Sequence, residues 1–287
     1  MINAKPSQNE TLNEKWNGST VAGNDVSTNY AIRSINLLPV DEKRAIYVRL
    51  IPPELVQRFR LDPQDLIQED NELLVLNCPP GSTMTEMALY HQPGFPDPVL
   101  YGHITDTING QVHVLLYVLN DPESPRFDVD CLEDGTPTKF GTQYRNLAAE
   151  TAAMQNGLAP GQVRRGLRLL GTAIQTFECF VAGLGHELYF AEPLYYHNAV
   201  LFEHYGFSYQ QGRKLMERIQ EGFTPGGDLI RRLDGSTPFR SPEAAQSIRL
   251  RSWAIHDNLL GEPFTEVTMY KHIGKAAGLD TCSGCAW

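Results

Sequence analysis

The sequence predicts an α/β protein of mixed type: a mostly antiparallel, twisted sheet flanked by helices, with a large helical insertion before the last strand. Three observations carry this expectation. Segments rich in β-branched and aromatic residues, punctuated by Gly, Pro and Asn, crowd residues 72–130. After Gly141 the apolar period changes from two to about 3.6. The run FTEVTMY, 264–270, then returns to strand chemistry.

Residues 1–30 are rich in Asn, Ser, Lys, Glu and Gly and bury too little apolar surface to offset their ordering entropy, so a disordered or loosely draped arm is expected. RAIYVRL, 44–50, alternates as a strand that Pro52-Pro53 stops, and a short helix follows over 54–60. ELLVLNC (72–78), MALYH (87–91), PVLYGHIT (98–105) and QVHVLLYVL (111–119) form an antiparallel meander. Asn109-Gly110 suits the positive φ of a tight hairpin between the last two. NDPESP turns the chain into a further strand, RFDVD, 126–130. A helix over 142–156 is stopped by Gly157. Val163, Leu167, Leu170, Ile174, Phe177, Val181 and Leu184 then recur at steps of four and three and draw one apolar stripe, opened by Pro160-Gly161 and closed by Gly183 and Gly185. A strand (186–193) and a short helix (195–205) ended by Gly206 follow. Beyond them come a helix over 210–221, a Pro225-Gly226-Gly227 turn, and a helix capped by Ser241 with Pro242 in its first turn. Residues 31–280 thus make one domain, with 208–263 inserted before the last strand and 281–287 a frayed tail.

Composition narrows the function. The formal net charge of −10 opposes nucleic acids and anionic membrane faces, so neither is an expected partner. The apolar runs are too short to span a bilayer, and the first residues lack the apolar core of a secretory signal, which predicts a cytoplasmic protein. Five scattered cysteines are not a disulfide framework. Cys282 and Cys285 have CxxC spacing without a second pair and are read as incidental. His197 and His204 stand about 10 Å apart along a helix, too far to clasp one ion, and no metal is expected. There is no nucleophile elbow, P-loop or dinucleotide fingerprint.

The chemistry concentrates at the start of the long stripe. Arg164, Arg165, Gly166 and Arg168 fall in its first turns, where unpaired N–H groups and the helix dipole favour an anion, and Arg164 and Arg168 share a face. Guanidinium forks and a close backbone approach at Gly166 suit a phosphate-bearing ligand.

A meander, then RRGLRLLGTAIQTFECFVAGLG, then ELYFAEP, then a short helix ending HYGF resembles the GNAT acyltransferase superfamily over residues 161–207, with a weaker likeness from Pro98 to the final strand. In that family a basic, Gly-containing turn cradles the coenzyme A diphosphate, and an aromatic Gly-Phe pair, here Gly206-Phe207, closes the following helix. The resemblance implies a binding set of Arg164, Arg165, Gly166, Leu167, Arg168, Leu169 and Gly171, with strand backbone near Phe127 and Val129 holding the cofactor arm. Acetyl-CoA or another acyl-CoA would be the donor substrate. With the family's Gln/Arg-x-x-Gly-x-Gly/Ala pattern set on Gly166, Val163 stands where Gln or Arg is usual and Arg168 where a small residue is. Phe202 takes the place of the tyrosine that protonates the departing thiolate.

Replacement acids are Tyr205, on the same helical side, and His197, with Tyr195 and Tyr196 beside it. Candidate bases are Glu192, Asp121 and Asp130. Arg213, Arg218, Arg231, Arg232, Arg240, Arg249 and Arg251 fall in the insertion, which suits a small, anionic amine acceptor, although interleaved carboxylates equally suit ion pairs. The expected function is acyl transfer from acyl-CoA to such an amine; the alternative is a non-catalytic binding or interaction protein on the same scaffold. A homodimer is left open.

Overall fold

The computed structural model describes residues 30–63, 65–68, 71–138 and 144–287, so the expected arm lies outside the described residues except for Tyr30. The chain opens with three short helices, α1 (Ile32–Asn36), α2 (Val40–Tyr47) and α3 (Pro53–Phe59). The segment 44–50 is therefore helix and a 3-10 turn, not the expected strand. Pro39 precedes the helix, Asp41 and Glu42 occupy its first turn, and Lys43 and Tyr47 fall one turn apart on the buried face. Tyr47 Oη donates to Asn36 Oδ1 at 2.6 Å and Lys43 Nζ to the Cys78 carbonyl at 2.9 Å. Those tertiary bonds outweigh a β-favouring composition.

A seven-stranded sheet follows: β1 (Leu74–Asn77), β2 (Met84–Leu89), β3 (Leu100–Asp106), β4 (Val112–Leu119), β5 (Leu188–Ala191), β6 (Ser208–Gln211) and β7 (Thr268–His272). Their spatial order is β1-β2-β3-β4-β5-β7-β6, antiparallel throughout except where β4 meets β5. The mixed α/β class with a mostly antiparallel sheet between helices is thus as the sequence predicts. RFDVD joins no strand: Phe127 N–H donates to the Val163 carbonyl, and Val129 packs in a satellite cluster with Ala153, Leu158, Phe239 and Trp253. The expected insertion contributes its first residues to β6, and its remainder runs through α7 (Arg213–Gly222) and short turns to α8 (Ile248–His256), which Ser247, not Ser241, caps. A helix α4 (Leu147–Gln155), capped by Asn146, precedes the central helix.

That central helix, α5 (Leu170–Gly183), starts seven residues later than the apolar stripe suggests. Residues 163–167 are extended instead: the Val163 carbonyl accepts from Phe127 N–H, the Arg165 carbonyl from Asp121 N–H, and Gly166 bridges Asn120. Arg168 then takes a left-handed φ of 61°, which no α-helix accommodates. Leu167 is buried all the same, so extended chain and helix continue one stripe. Within α5, Ala173, Phe177, Phe180 and Val181 face the core, and a Gly185 in left-handed conformation ends the helix, with His186 N–H returning to the Val181 carbonyl.

The last residues are packed, not frayed. Thr281 donates its N–H and hydroxyl to buried Glu203, Ala286 accepts from Ile248 N–H, and Cys282 is 3% exposed. No helix is long and apolar enough to cross a membrane among the described residues.

Candidate functional site

Strands β4 and β5 run parallel but share only two register pairs, His113 with Phe190 and Val114 with Ala191, before they part. The cause lies partly in β4: Ile104 pairs with Val114 but His103 with Leu116, so Leu115 is an extra, bulged residue that bends the strand away. Glu192 N–H makes a last bond to the Val114 carbonyl at 3.0 Å. Beyond it the edge of β4 faces a wedge. α5 begins at that wedge, and a cavity of about 40 Å³ lies between them, walled by Val114 and Tyr117 of β4, Ala191 of β5, and Leu170, Ala173 and Ile174 of α5. Phe202 and Phe207 close it from the side of α6 (Tyr196–His204), their rings stacked at 4.9 Å. The hydroxyls of Tyr117 and Tyr189, whose rings also line the cavity, are shielded from solvent and have no hydrogen-bond partner among the described residues. Burial pushes both phenols far above their ordinary pKa.

The start of α5 carries no side-chain cap and no acidic residue in its first turn, so its positive end is uncompensated. The expected arginines divide sharply there. Arg164 is buried and consumed by the protein: Nε donates to Asp97 Oδ2 at 2.7 Å, Nη1 to the Ser124 carbonyl, and the group lies 5.1 Å above Phe95. Arg165 donates to the Asn156 carbonyl at 3.2 Å. Only Arg168 of the three is exposed without a partner among the described residues. Arg164 and Arg168 therefore share no helix face, and Arg164 is structural. Gly166 lies against the β4 end, where an added Cβ would stand 3.5 Å from the Leu119 carbonyl. Gly171 sits in the first turn of α5 with the ring of Tyr205 against it, 3.3 Å from where a Cβ would be. Leu169 is the N-cap residue and Leu167 is core. Phe127 and Val129 lie off the sheet, so the open backbone edge beside the wedge belongs to β4, not to them.

Glu192 is exposed at the end of β5, and its charge acts on His113, across the sheet from α5. Burial lowers the His113 pKa, and Glu192 partly opposes that. Tyr205, 37% exposed, stands at the end of α6 beside the first turn of α5. His197 is elsewhere. Its Nδ1 lies 2.9 Å from Ser252 Oγ, Nε2 lies 3.2 Å from Asn198 Nδ2, and burial lowers its pKa to about 3. A fully enclosed, neutral imidazole cannot exchange protons with a ligand in the wedge, so His197 leaves the acid–base set. Tyr195 and Tyr196 are likewise packed inside, the first with its phenol pushed up to about 12 by burial. Asp121 pairs with Arg58, and Asp130 with Arg126, away from the cavity wall. Asp128, Asp130 and Cys131 come close enough to share an ion, but Arg126 already pairs with both carboxylates.

The insertion's arginines are engaged as well. Arg213 pairs with Glu217, Arg218 and Arg232 with Asp228, and Arg240 with Asp257. Arg231 and Arg249 bind backbone carbonyls, and Arg251 reaches Ala245 and Gln220. They hold the insertion together, which removes the motive for an anionic acceptor. Sequence reasoning missed the β4 edge and the cavity; a doubled apolar pair, Leu115-Leu116, is the signal for the bulge. Comparison with family models, with curated proteins and with solved structures finds no match.

Proposed function

We propose that the protein is a GNAT-like acyltransferase that takes an acyl group from acyl-coenzyme A to an amine at the β4–β5 wedge. One observation carries the reading: two parallel strands part beside an uncapped helix start, with an apolar cavity in the angle between them. The diphosphate would lie on the first-turn N–H groups of α5 and on Arg168. A second reading of the sequence supports this: Arg168-Leu169-Leu170-Gly171-Thr172-Ala173 also fits Arg-x-x-Gly-x-Ala, five residues after the alignment on Gly166 and at the start of α5. The amides of the cofactor arm would pair with the open edge of β4 as an added strand does. An acyl group would occupy the cavity, whose size suits a short chain.

The amine would approach from the far face of the sheet. Glu192 takes its proton, the nitrogen–carbon bond forms as the carbon–sulfur bond breaks, and the electron pair leaves on the coenzyme A sulfur. Tyr205, exposed beside the first turn of α5, is the proposed donor for that thiolate, since Phe202 has no proton to give. A binding protein without turnover is the second reading, favoured by the Phe202–Phe207 stack in the tyrosine's place.

Calorimetric titration with coenzyme A, with and without Arg168→Ala, tests the placement. Loss of one charged contact predicts about tenfold weaker binding or more. Unchanged affinity would remove the diphosphate from α5. Thiol release with a panel of amines separates the readings: coenzyme A binding without release favours the binding protein, and neither binding nor release discards both.

A further inference from the structure

Cys282 and Cys285 are joined as a disulfide at a meeting of three elements. Arg251 of α8 brings Nη1 to 3.4 Å from Cys282 Sγ and 3.2 Å from Cys285 Sγ. Tyr196, first residue of α6, donates its hydroxyl to Cys282 Sγ at 3.1 Å. Gln220 of α7 lies 3.8 Å from Cys285 Sγ and accepts from Arg251 at 2.8 Å. Cys285 is the more open of the two sulfurs' residues, Cys282 being buried.

Arg251 is the unusual member. It is 7% exposed, it lies 4.6 Å above the Phe223 ring, and its other acceptors, the Ala245 carbonyl and Gln220, are neutral. Among the described residues it has no carboxylate partner, whereas buried Arg164 and half-buried Arg145 both do. Enclosing a cation without a counter-charge is costly, and a thiolate at either sulfur would supply that charge in direct contact. The other charges nearby are less intimate. Asp280 Oδ1 accepts from Cys282 N–H at 3.1 Å, and Glu203 is occupied by Thr281 and Tyr209. Burial pushes the Tyr196 phenol up, which keeps it a neutral donor to sulfur.

We propose that Cys282 and Cys285 form a redox-active thiol–disulfide exchange site whose reaction partner is a thiol and whose reduced form is held as a thiolate by Arg251. An external thiolate attacks Cys285 Sγ, the bond to Cys282 breaks, and its electron pair stays on Cys282 between Tyr196 and Arg251. A second external thiol attacks the mixed disulfide and leaves as an external disulfide, so two electrons and one proton enter the pair, the second proton passes to solvent, and the remaining negative charge is shared by the two sulfurs within reach of Arg251 Nη1. Because Arg251 stabilises the reduced state and not the neutral disulfide, the bond is readily reduced. Tyr196 and Glu203 lie on α6, the helix that also carries Phe202, so the tail's redox state bears on a wall of the wedge cavity.

The test equilibrates the full-length protein in glutathione redox buffers, traps thiols by alkylation, and reads the tryptic peptide beginning at Ala276, which holds both cysteines. Arg251→Met should shift the equilibrium toward the disulfide by about tenfold or more, and Arg251→Lys by less. In the reduced wild type, Cys285 should alkylate at neutral pH about tenfold faster than exposed Cys179. An equilibrium unmoved by Arg251→Met, or oxidising buffers that never close the pair, overturns the proposal. Should Arg251→Met fail to fold, the wild-type alkylation rates decide: a Cys285 no faster than Cys179 overturns it equally.

Discussion

The two ends of the sheet treat polar groups differently. Around α4, α8 and the chain end, buried polar groups find hydrogen-bond partners, in most cases with opposite charge and, at Arg251, with neutral acceptors. Arg145 bridges Glu150 and Asp257, Asp257 also takes Arg240 and Thr237, and His256 Nε2 lies 3.3 Å from Glu150. Burial pushes the Glu150 carboxyl up, but hydrogen bonds and charge from His256 and Arg145 outweigh it and hold the pKa below the usual range. In the meander and wedge half, satisfied groups such as Tyr47 with Asn36 and Arg164 with Asp97 stand beside shielded atoms without a partner. Among the described residues, the shielded side-chain atoms without a partner belong to His91, His103, His113, Tyr117 and Tyr189, all on or beside β2, β3, β4 and β5. Two of these atoms, the hydroxyls of Tyr117 and Tyr189, belong to rings that line the wedge cavity.

The contrast breaks first at Asp257. Asp257→Ala removes a buried carboxylate from half-buried Arg240 and Arg145, and should cost about 3 kcal/mol, read as a large fall in denaturant midpoint. A loss below about 1 kcal/mol would mean that the paired half is no more than a solvated surface network.

His197 gives the next largest effect, through pH. Its folded pKa, about 3, lies below its ordinary value, so the unfolded chain binds the proton more readily and stability falls as pH drops below about 6.5. Each pH unit in that window costs up to about 1.4 kcal/mol for this one group. Glu150, whose folded pKa is lowered, loses its contribution only at lower pH, below the ordinary carboxylate value. His91 and His113 are also depressed by burial and add the same sign, so the quantity to measure is the slope difference between wild type and His197→Gln between pH 6.5 and 4.5. Equal slopes would show that His197 is not enclosed.

How far these halves were legible in the sequence follows from which forces are local. β2, β3 and β4 declare themselves because alternation and hairpin chemistry act within a few residues. The start of α5 does not, because Val163 and Leu167 extend the apolar stripe while bonds from Phe127 and Asp121, some 35 to 45 residues away in sequence, hold that stretch extended. The tail looks incidental for the same reason: Tyr196, Gln220 and Arg251 reach Cys282 and Cys285 from three separate helices, and nothing near the cysteines announces them. The positions of Glu192 and Gly171 were legible, since Glu192 follows β5 and Gly171 falls in the first turn of α5. Arg164 and His197 were misread because residue type shows what a side chain can do but not whether the protein has already used it.

The smallest effect is the sharpest comparison, because one chemical edit should have opposite signs in the two halves. Tyr209→Phe deletes a hydroxyl that donates to buried Glu203, a carboxylate that also accepts from Thr281, and should cost about 1.5–3 kcal/mol. Tyr117→Phe deletes a hydroxyl with no partner, and should be neutral or stabilise by up to about 1 kcal/mol while the ring keeps its packing. Thermal unfolding of the two variants beside the wild type reads both signs. If Tyr117→Phe loses stability as Tyr209→Phe does, the wedge hydroxyl is bonded in the free protein and the division between the halves fails. If instead it gains stability but binds coenzyme A less well, that hydroxyl is held in reserve for the ligand, at the expense of the unliganded fold.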